Sequence, residues 1–417
     1  MQYGCIGEHL THSFSKEIHA ALADYPYDLR EVTPNALASF MDEKDFKAIN
    51  VTIPYKQDVI PFLDVVDEVA TTIGAVNTIV NKGGRLFGYN TDFFGLSALI
   101  KHAKIDLFGK KVLILGTGGT SKTAKAVAQY MGAAEIHMVS RSQKAGVLTY
   151  EDVRSNHTDA EILINTTPCG MFSREQGMPL DPCDFPRLSG VVDAIYNPLR
   201  TAFVRKAHAC GVPAVGGLYM LVMQAVRASE LFFDTSYSHE QAFAVYRKIK
   251  TDKENIVLTG MPASGKSTVG KLLADKLGRP FIDIDAQIEA ETGRTPSQIF
   301  ETDGEMAFRD IESAVITRLS EINGAVIATG GGAILRPQNV DALKANGRLF
   351  FLNRPPEQLI PTADRPTACT KEAILQRYTE RFATYLLTAD YAIPADGTPD
   401  QVAALVERSF LHEDLGD

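Results

Sequence analysis

The sequence predicts an α/β fold built on largely parallel sheets. Short β-rich runs alternate with helical-period stretches almost throughout, and two such runs end in glycine-rich turns that open helices. The chain is 417 residues long, more than one ordinary core accommodates, so two or three domains are expected. Strands are expected at Gln2–Ile6, Asp28–Val32, Ala48–Ile53 and Asn77–Val80, with helices between them. A strand at Lys111–Leu115 then runs into Gly116-Thr117-Gly118-Gly119 and a helix reaching about Met131. This fresh βαβ start places a boundary near residue 100. Further strands fit Glu135–Val139, Ile162–Asn165 and Val191–Ala194, and helices at Leu218–Phe233 and Glu240–Lys250 close this part. The charged stretch Lys248–Asn255 lacks apolar periodicity and is expected to be a linker or a frayed helix end. Ile256–Thr259 opens the last domain as a buried-type strand.

Composition excludes several classes. Hydrophobic residues make up 45% and charged residues 22%, normal for a globular protein. No stretch approaches the ~20 apolar residues of a membrane helix, and Met1–Gly7 is expected to be a first strand, not an export signal. The five cysteines show no metal spacing, so reduced thiols in a cytoplasmic protein are expected. A net charge of -9 argues against nucleic acid as a partner. Small anions remain suitable ligands, because helix N-termini bind them locally.

The strongest motif is Gly260-Met261-Pro262-Ala263-Ser264-Gly265-Lys266-Ser267, a complete GxxxxGK[ST] between a strand and a helix. Backbone N–H groups from Gly260, Ala263, Ser264, Gly265 and Thr268 would curl around nucleotide phosphates. Lys266 would reach the β- and γ-phosphates and Ser267 would ligate Mg²⁺, so ATP and Mg²⁺ are the expected ligands. Three later segments carry a family resemblance: Phe281-Ile282-Asp283-Ile284-Asp285, Gly304-Glu305-Met306-Ala307-Phe308-Arg309-Asp310-Ile311-Glu312, and Ala328-Thr329-Gly330-Gly331-Gly332-Ala333. In order and spacing, residues 251–417 resemble shikimate kinase, a P-loop α/β domain with a central parallel sheet. The resemblance implies that Asp283 supports Mg²⁺ and that Asp285 contacts shikimate and acts as base. It implies that Arg309 and Arg381 clamp the carboxylate, that Gly331 and Gly332 approach the ring, and that Arg365 is a lid arginine. These roles suit the chemistry, since a guanidinium matches a carboxylate and a cation offsets charge on the transferring phosphate. The chain departs from the family where Pro366-Thr367-Ala368 replaces the usual leucines after the lid arginine, where Pro355–Ala363 is short, and where no proline precedes Tyr385.

The first glycine loop is weaker alone. Gly116, Gly118, Gly119 and Thr120 form a dinucleotide-type turn without the full GxGxxG. At the end of the next strand stand Ser140, Arg141, Ser142 and Lys144, with no acidic residue, which favours NADP over NAD. The surrounding segments decide the substrate. His12-Ser13-Phe14-Ser15, Asn50-Val51-Thr52-Ile53-Pro54-Tyr55-Lys56, Gly74-Ala75-Val76-Asn77-Thr78 and Asn90-Thr91-Asp92 resemble shikimate dehydrogenase. So do Asn165-Thr166-Thr167-Pro168, Asp193-Ala194-Ile195-Tyr196-Asn197-Pro198 and Met220-Leu221-Val222-Met223-Gln224-Ala225. The resemblance implies a substrate-binding α/β domain over 1–100, completed by helices from about 218–250, and a Rossmann-like NADP domain over 101–217. It implies that Ser13 and Ser15 hold the substrate carboxylate, and that Thr52, Asn77, Asp92, Tyr196 and Gln224 contact the rest of the substrate. Thr166 would lie on the cofactor, and Lys56 and Asp92 would be the catalytic pair. An ammonium beside a ketone stabilises the negative charge that hydride delivery creates, and a neighbouring carboxylate keeps it protonated.

Together the halves are expected to reduce 3-dehydroshikimate to shikimate with NADPH and to phosphorylate shikimate with MgATP. Three alternatives stay open: an NAD-using quinate/shikimate dehydrogenase, a kinase for another small polyol, and a half that binds without turnover. Monomer and homodimer are both compatible with the sequence.

Overall fold

The computed structural model describes residues 1–10, 14–172, 177–359 and 370–411. They form two compact units, Met1–Ile249 and the chain from Lys250 onward.

The first unit holds two six-stranded sheets. In the N-terminal sheet, Tyr3–Gly7 pairs in parallel with both Asp28–Glu31 and Ala48–Val51. Beyond that point the sheet is mixed, with a parallel pairing of Val65–Val66 to Arg85–Tyr89 beside two antiparallel ones. Ala48–Val51 runs antiparallel to Thr78–Lys82, which turns through Gly83 and Gly84 into the antiparallel strand Arg85–Tyr89. That last strand was not expected from the sequence, although Gly83-Gly84 between two short β-rich runs is a local hairpin signal. The second sheet is wholly parallel, with Lys111–Leu115 between Glu135–Ser140 and Ile162–Asn165, and Gly190–Asp193 outside them. Its central strands are fully buried, as apolar runs such as Val112–Leu115 require when helices cover both faces.

The helix Thr91–His102 lies against the helix Leu218–Phe233, and the pair joins one core with Val112, Ile114, Ile162 and Ile164 of the parallel sheet. A Cβ at Gly95 would lie 2.5 Å from the Met220 carbonyl oxygen and 3.1 Å from Gln224. The absent side chain is therefore what lets the two backbones close and brings Gln224 to the N-terminus of the first helix.

The second unit is a five-stranded parallel sheet with Asn255–Thr259 at its centre, flanked by Val326–Ala328 and Gly347–Asn353. Of the two expectations for Lys248–Asn255, the helix end is what the chain shows and the linker is not. A helix runs from His239 through Lys253, Glu254 and Asn255 are fully buried, and Asn255 begins the central strand. The polar residues there have partners that sequence alone cannot show. Glu254 pairs with Arg348 at 2.9 Å, and the Asn255 amide donates to the Ile322 carbonyl at 2.6 Å.

The thiol expectation also needs correction. Cys183 and Cys210 are bridged, with Cα atoms 5.8 Å apart, whereas Cys5 is free. Residue spacing misses this pair because the short turn Pro182–Asp184 meets the end of the helix Ala202–Ala209 only in the folded chain. Among the described residues, no helix is long and apolar enough to cross a membrane.

Candidate active sites

The site of the first unit forms where its antiparallel hairpin meets the helix Thr91–His102. Asn90 caps that helix by accepting a hydrogen bond from the Phe93 amide at 3.1 Å, so Asp92 falls in the first turn. There the unpaired amides and the helix dipole favour a carboxylate. Lys56 donates to Asp92 Oδ2 at 2.6 Å, with the two side chains 17% and 11% exposed. Asn77 donates to Asp92 Oδ1 at 2.9 Å and accepts from the Thr91 amide at 2.7 Å. Gln224 reaches the same cluster, its Oε1 3.5 Å from the Thr91 hydroxyl. An ammonium, an amide and a carboxylate thus converge at one partly exposed point, which suits a carbonyl being reduced beside a proton source.

Thr52 follows the strand Ala48–Val51, and Ser15 opens the helix Ser15–Leu22. Phe14 beside it packs edge-on against Tyr196, ring centres 5.2 Å apart. Burial pushes the Tyr196 hydroxyl above its ordinary pKa, keeping it a neutral hydrogen-bonding group. Ser13 lies outside the described residues.

Behind the pair is a layer to which the sequence assigned no role. Asn50, inside a matched segment, accepts from the Tyr27 hydroxyl at 2.7 Å and donates to Thr78 at 3.0 Å. The Tyr27 ring stacks on His19 at 3.9 Å, and burial lowers the His19 pKa to about 3. Neither Tyr27 nor His19 lies in a motif, so no signal in the sequence pointed to them.

The cofactor loop follows the strand Lys111–Leu115. Gly116 has φ 115°, and a Cβ there would lie 2.6 Å from the Thr166 hydroxyl, so Thr166 closes directly over the turn. Gly118 caps the helix Gly119–Tyr130, and both glycines face open space where a pyrophosphate could approach the backbone. Thr120 sits in that helix's first turn. Ser140 ends the neighbouring strand and accepts from the Ser142 amide at 3.2 Å, curling the chain so that Arg141 is exposed. Lys144 reaches back to the Thr117 hydroxyl at 3.0 Å. Two cations therefore stand near the loop, where a ribose 2′-phosphate would need them.

In the second unit a cleft of about 680 Å³ opens along the carboxyl edge of the sheet. The phosphate loop has left-handed backbone at Gly260, Ala263 and Gly265, and the helix Lys266–Leu277 follows at once. Lys266 is 8% exposed and bonds the Gly260 and Met261 carbonyls at 2.9 Å each, so its ammonium lies curled over the loop. Ser264 is buried within the loop, and Thr268 lines the cleft one residue beyond Ser267. The Ser267 hydroxyl donates to Asp283 at 2.5 Å. These are hard oxygen donors held together beside a phosphate cradle, the donor set that magnesium takes while keeping several waters. Asp283 also caps the helix that carries Asp285 in its first turn.

The three glycines after Val326–Ala328 lie close against side chains, flexible ends at Gly330 and Gly332 and a rigid proline ring at Gly331. A Cβ at Gly330 would lie 2.5 Å from Glu312 and 3.1 Å from Asp285, at Gly331 2.8 Å from Pro262, and at Gly332 against the Arg309 guanidinium. Arg381 and Tyr385 both donate to the Gly331 carbonyl, at 3.1 and 2.5 Å. Arg309 pairs with Glu312 at 2.7 Å. Glu312 is fully buried, and burial raises its pKa against the pull of Arg309. The sequence named Arg309 but missed Glu312 and Tyr385. The i,i+3 spacing on one helix was a usable signal for Glu312; Tyr385 had none. Arg365 lies outside the described residues.

Comparison with known proteins agrees with this division. The family model "Shikimate dehydrogenase substrate binding domain" matches residues 5–79, and "Shikimate kinase" matches residues 262–409. The shikimate dehydrogenase (NADP(+)) of Clostridium perfringens is 33% identical over 265 residues, covering 60% of this chain and 98% of its own. That of Carboxydothermus hydrogenoformans is 36% identical over 253 residues, covering 54% and 89%. Among solved structures, a chorismate mutase/shikimate 5-dehydrogenase fusion protein from Clostridium acetobutylicum aligns with TM-score 0.57 at 33% identity, over 59% of this chain and 96% of that one. Shikimate 5-dehydrogenase from Thermus thermophilus, in complex with NADP(H) and shikimate, aligns with TM-score 0.53 at 28% identity, over 60% and 99%.

Proposed function

The chain belongs to the shikimate dehydrogenase family and carries a shikimate kinase domain behind it, and on that footing we propose a division of labour among its residues. The first unit reduces 3-dehydroshikimate to shikimate with NADPH, and the second phosphorylates shikimate with MgATP to shikimate 3-phosphate. The observation that carries the proposal is that one chain holds both a largely buried Lys56–Asp92 pair and a cleft joining Lys266, Ser267, Asp283, Asp285, Arg309 and Arg381.

In the dehydrogenase, bound NADPH supplies the hydride. Lys56 holds the ketone oxygen and gives it a proton as the hydroxyl forms, and Asp92 keeps that lysine charged and oriented. Asn77 fixes Asp92 by occupying its second oxygen. Thr52, Tyr196 and Gln224 read the ring and Ser13 and Ser15 the carboxylate. Gly116, Gly118, Gly119, Thr120 and Thr166 shape the pyrophosphate site, with Ser140, Arg141, Ser142 and Lys144 at the 2′-phosphate.

In the kinase, magnesium bound at Ser267 and Asp283 supplies charge neutralisation on the phosphates. Asp285 accepts the proton of the attacking hydroxyl. Arg309, held by Glu312, and Arg381, held at the Gly331 carbonyl, clamp the carboxylate. Lys266 leaves its carbonyl partners for the nucleotide, and Arg365 closes on the transferring group. We place the chain in the cytoplasm, where both nucleotides are available, and the described parts of each site come from a single chain, so monomer and homodimer serve equally.

Mass spectrometry after incubation with 3-dehydroshikimate, NADPH and MgATP tests the whole reading. Shikimate 3-phosphate is expected. Shikimate alone removes the kinase half of the proposal, and no conversion removes both halves.

A further inference from the structure

Among the described residues, one cation besides Lys266, Arg309 and Arg381 lines the kinase cleft, and no motif predicted it: Arg354. We infer that Arg354 is a nucleotide-phosphate ligand of the kinase site, gripping the part of the phosphate chain that ADP and ATP share. The inference rests on the kinase reading above.

Its placement follows from strand register. Gly347–Asn353 pairs in parallel with Asn255–Thr259, Phe351 opposite Thr259, so both strands leave the sheet at one edge. The residues just beyond them, Arg354 and the phosphate loop, must then be neighbours. They are in contact: a Cβ at Gly260 would lie 2.9 Å from the Leu352 carbonyl, and one at Gly265 would lie 3.7 Å from Arg354 Nη1. Pro355 holds the residue before it out of helical geometry, and Asn353 is pinned by the Tyr378 hydroxyl at 2.9 Å, so the arginine leaves a fixed corner.

The other described arginines of the cleft are already engaged, Arg309 with Glu312 and Arg381 with the Gly331 carbonyl. Arg354 Nε is buried with no hydrogen-bond partner among the described residues. A buried donor of a charged group is costly to leave unmade, and a phosphate oxygen is the acceptor that a guanidinium beside a glycine loop fits best. The charge count agrees. Magnesium offsets about half of a triphosphate's charge and Lys266 one unit more, which leaves negative charge that Arg354 can meet.

Topology also decides which phosphates. Gly330–Gly332 and Asp285 lie on the Val326–Ala328 side of the central strand, where the acceptor binds and the γ-phosphate must point. Arg354 stands on the opposite flank, next to Gly265, whose part of the loop cradles the α- and β-phosphates. It therefore holds substrate and product nucleotide alike and takes no part in the transfer itself.

The test is the dissociation constant of fluorescently labelled MgADP, and its displacement by MgATP and AMP, for the full chain, R354A and R354K. R354A should weaken MgADP and MgATP by a similar factor, roughly tenfold or more, with a smaller effect on AMP. R354K should fall between R354A and wild type, and its conserved stem guards against a misfolded alanine variant. The KM for ATP should rise while the KM for shikimate stays unchanged. MgADP binding within twofold of wild type in R354A, or a loss confined to MgATP, overturns the inference. A wild-type chain that binds no MgADP overturns the kinase reading along with it.

Discussion

Replacing Lys56 with methionine removes one charge from the dehydrogenase site with little change of volume. Asp92 keeps its bond from Asn77 and its place in the first turn of a helix, so the carboxylate is left short of one partner but not stranded. The pair is 11–17% exposed, so the stability cost should stay below the ~3–5 kcal/mol of breaking a fully buried pair. Catalysis should suffer more. A donor aimed at a developing oxyanion contributes about 3–4 kcal/mol, and a positioned proton donor about 10²–10⁴-fold; one lysine serving both gives an overlapping loss of roughly 10³-fold or more in kcat. The assay is NADPH absorbance with 3-dehydroshikimate. Phosphorylation of shikimate by the same preparation serves as the internal control, and Lys266→Ala should give the reciprocal pattern. A folded K56M retaining more than a tenth of wild-type kcat would refute the role assigned to Lys56. Loss of both activities in either folded variant would refute the independence of the two sites.

Arg141→Ala should lower the preference for NADPH over NADH by about tenfold, a modest figure because the side chain is exposed and screened; an unchanged ratio of kcat/KM values would remove Arg141 from the 2′-phosphate site. Gly95→Ala forces a Cβ into the Met220 carbonyl, so it should cost about 1–3 kcal/mol and raise the KM for 3-dehydroshikimate through displaced Gln224. An unaltered melting temperature together with an unaltered KM would show that the helices do not need that approach. Burial pushes Asp193 up to about 7 from 3.8, despite bonds from Asn165, Thr201 and the Ile195 amide. The folded chain then holds a proton that the unfolded chain has lost, so stability is full below about pH 4 and falls as pH rises to about 7. At about 1.4 kcal/mol per unit the fall is at most about 4 kcal/mol. Denaturant unfolding of wild type against D193N should show their difference shrinking or reversing across that window; a difference independent of pH would mean Asp193 is ionised throughout.

Much of the chemistry was legible because it depends on short stretches of backbone. A phosphate loop needs its glycines, lysine and serine within eight residues between a strand and a helix, and those are local requirements. Lys56, Asn77 and Asp92 fell inside recognisable segments, and so did Asp283, Asp285 and Arg309. Local charge statistics misled at Lys248–Asn255, where Glu254 and Asn255 are buried because Arg348 and Ile322, nearly a hundred and about seventy residues away, provide partners. The Cys183–Cys210 bridge was missed because it is a long-range contact, whereas the Thr78–Tyr89 hairpin carried a local signal in Gly83-Gly84 that went unread.

The two nucleotide loops, the parallel α/β character of most of the chain and the identity of the charged groups available for chemistry were all readable from the amino acids in order. They follow from backbone conformation and side-chain type at adjacent positions. Which of those groups meet is a property of the folded chain. Lys56 lies 36 residues from Asp92 and reaches it at 2.6 Å, Gly95 lets Gln224 approach from another helix, and Arg354 stands against Gly265 because their strands are adjacent in the sheet. Distance in space between residues far apart in the chain is set by strand order and core packing, and no single segment carries that information.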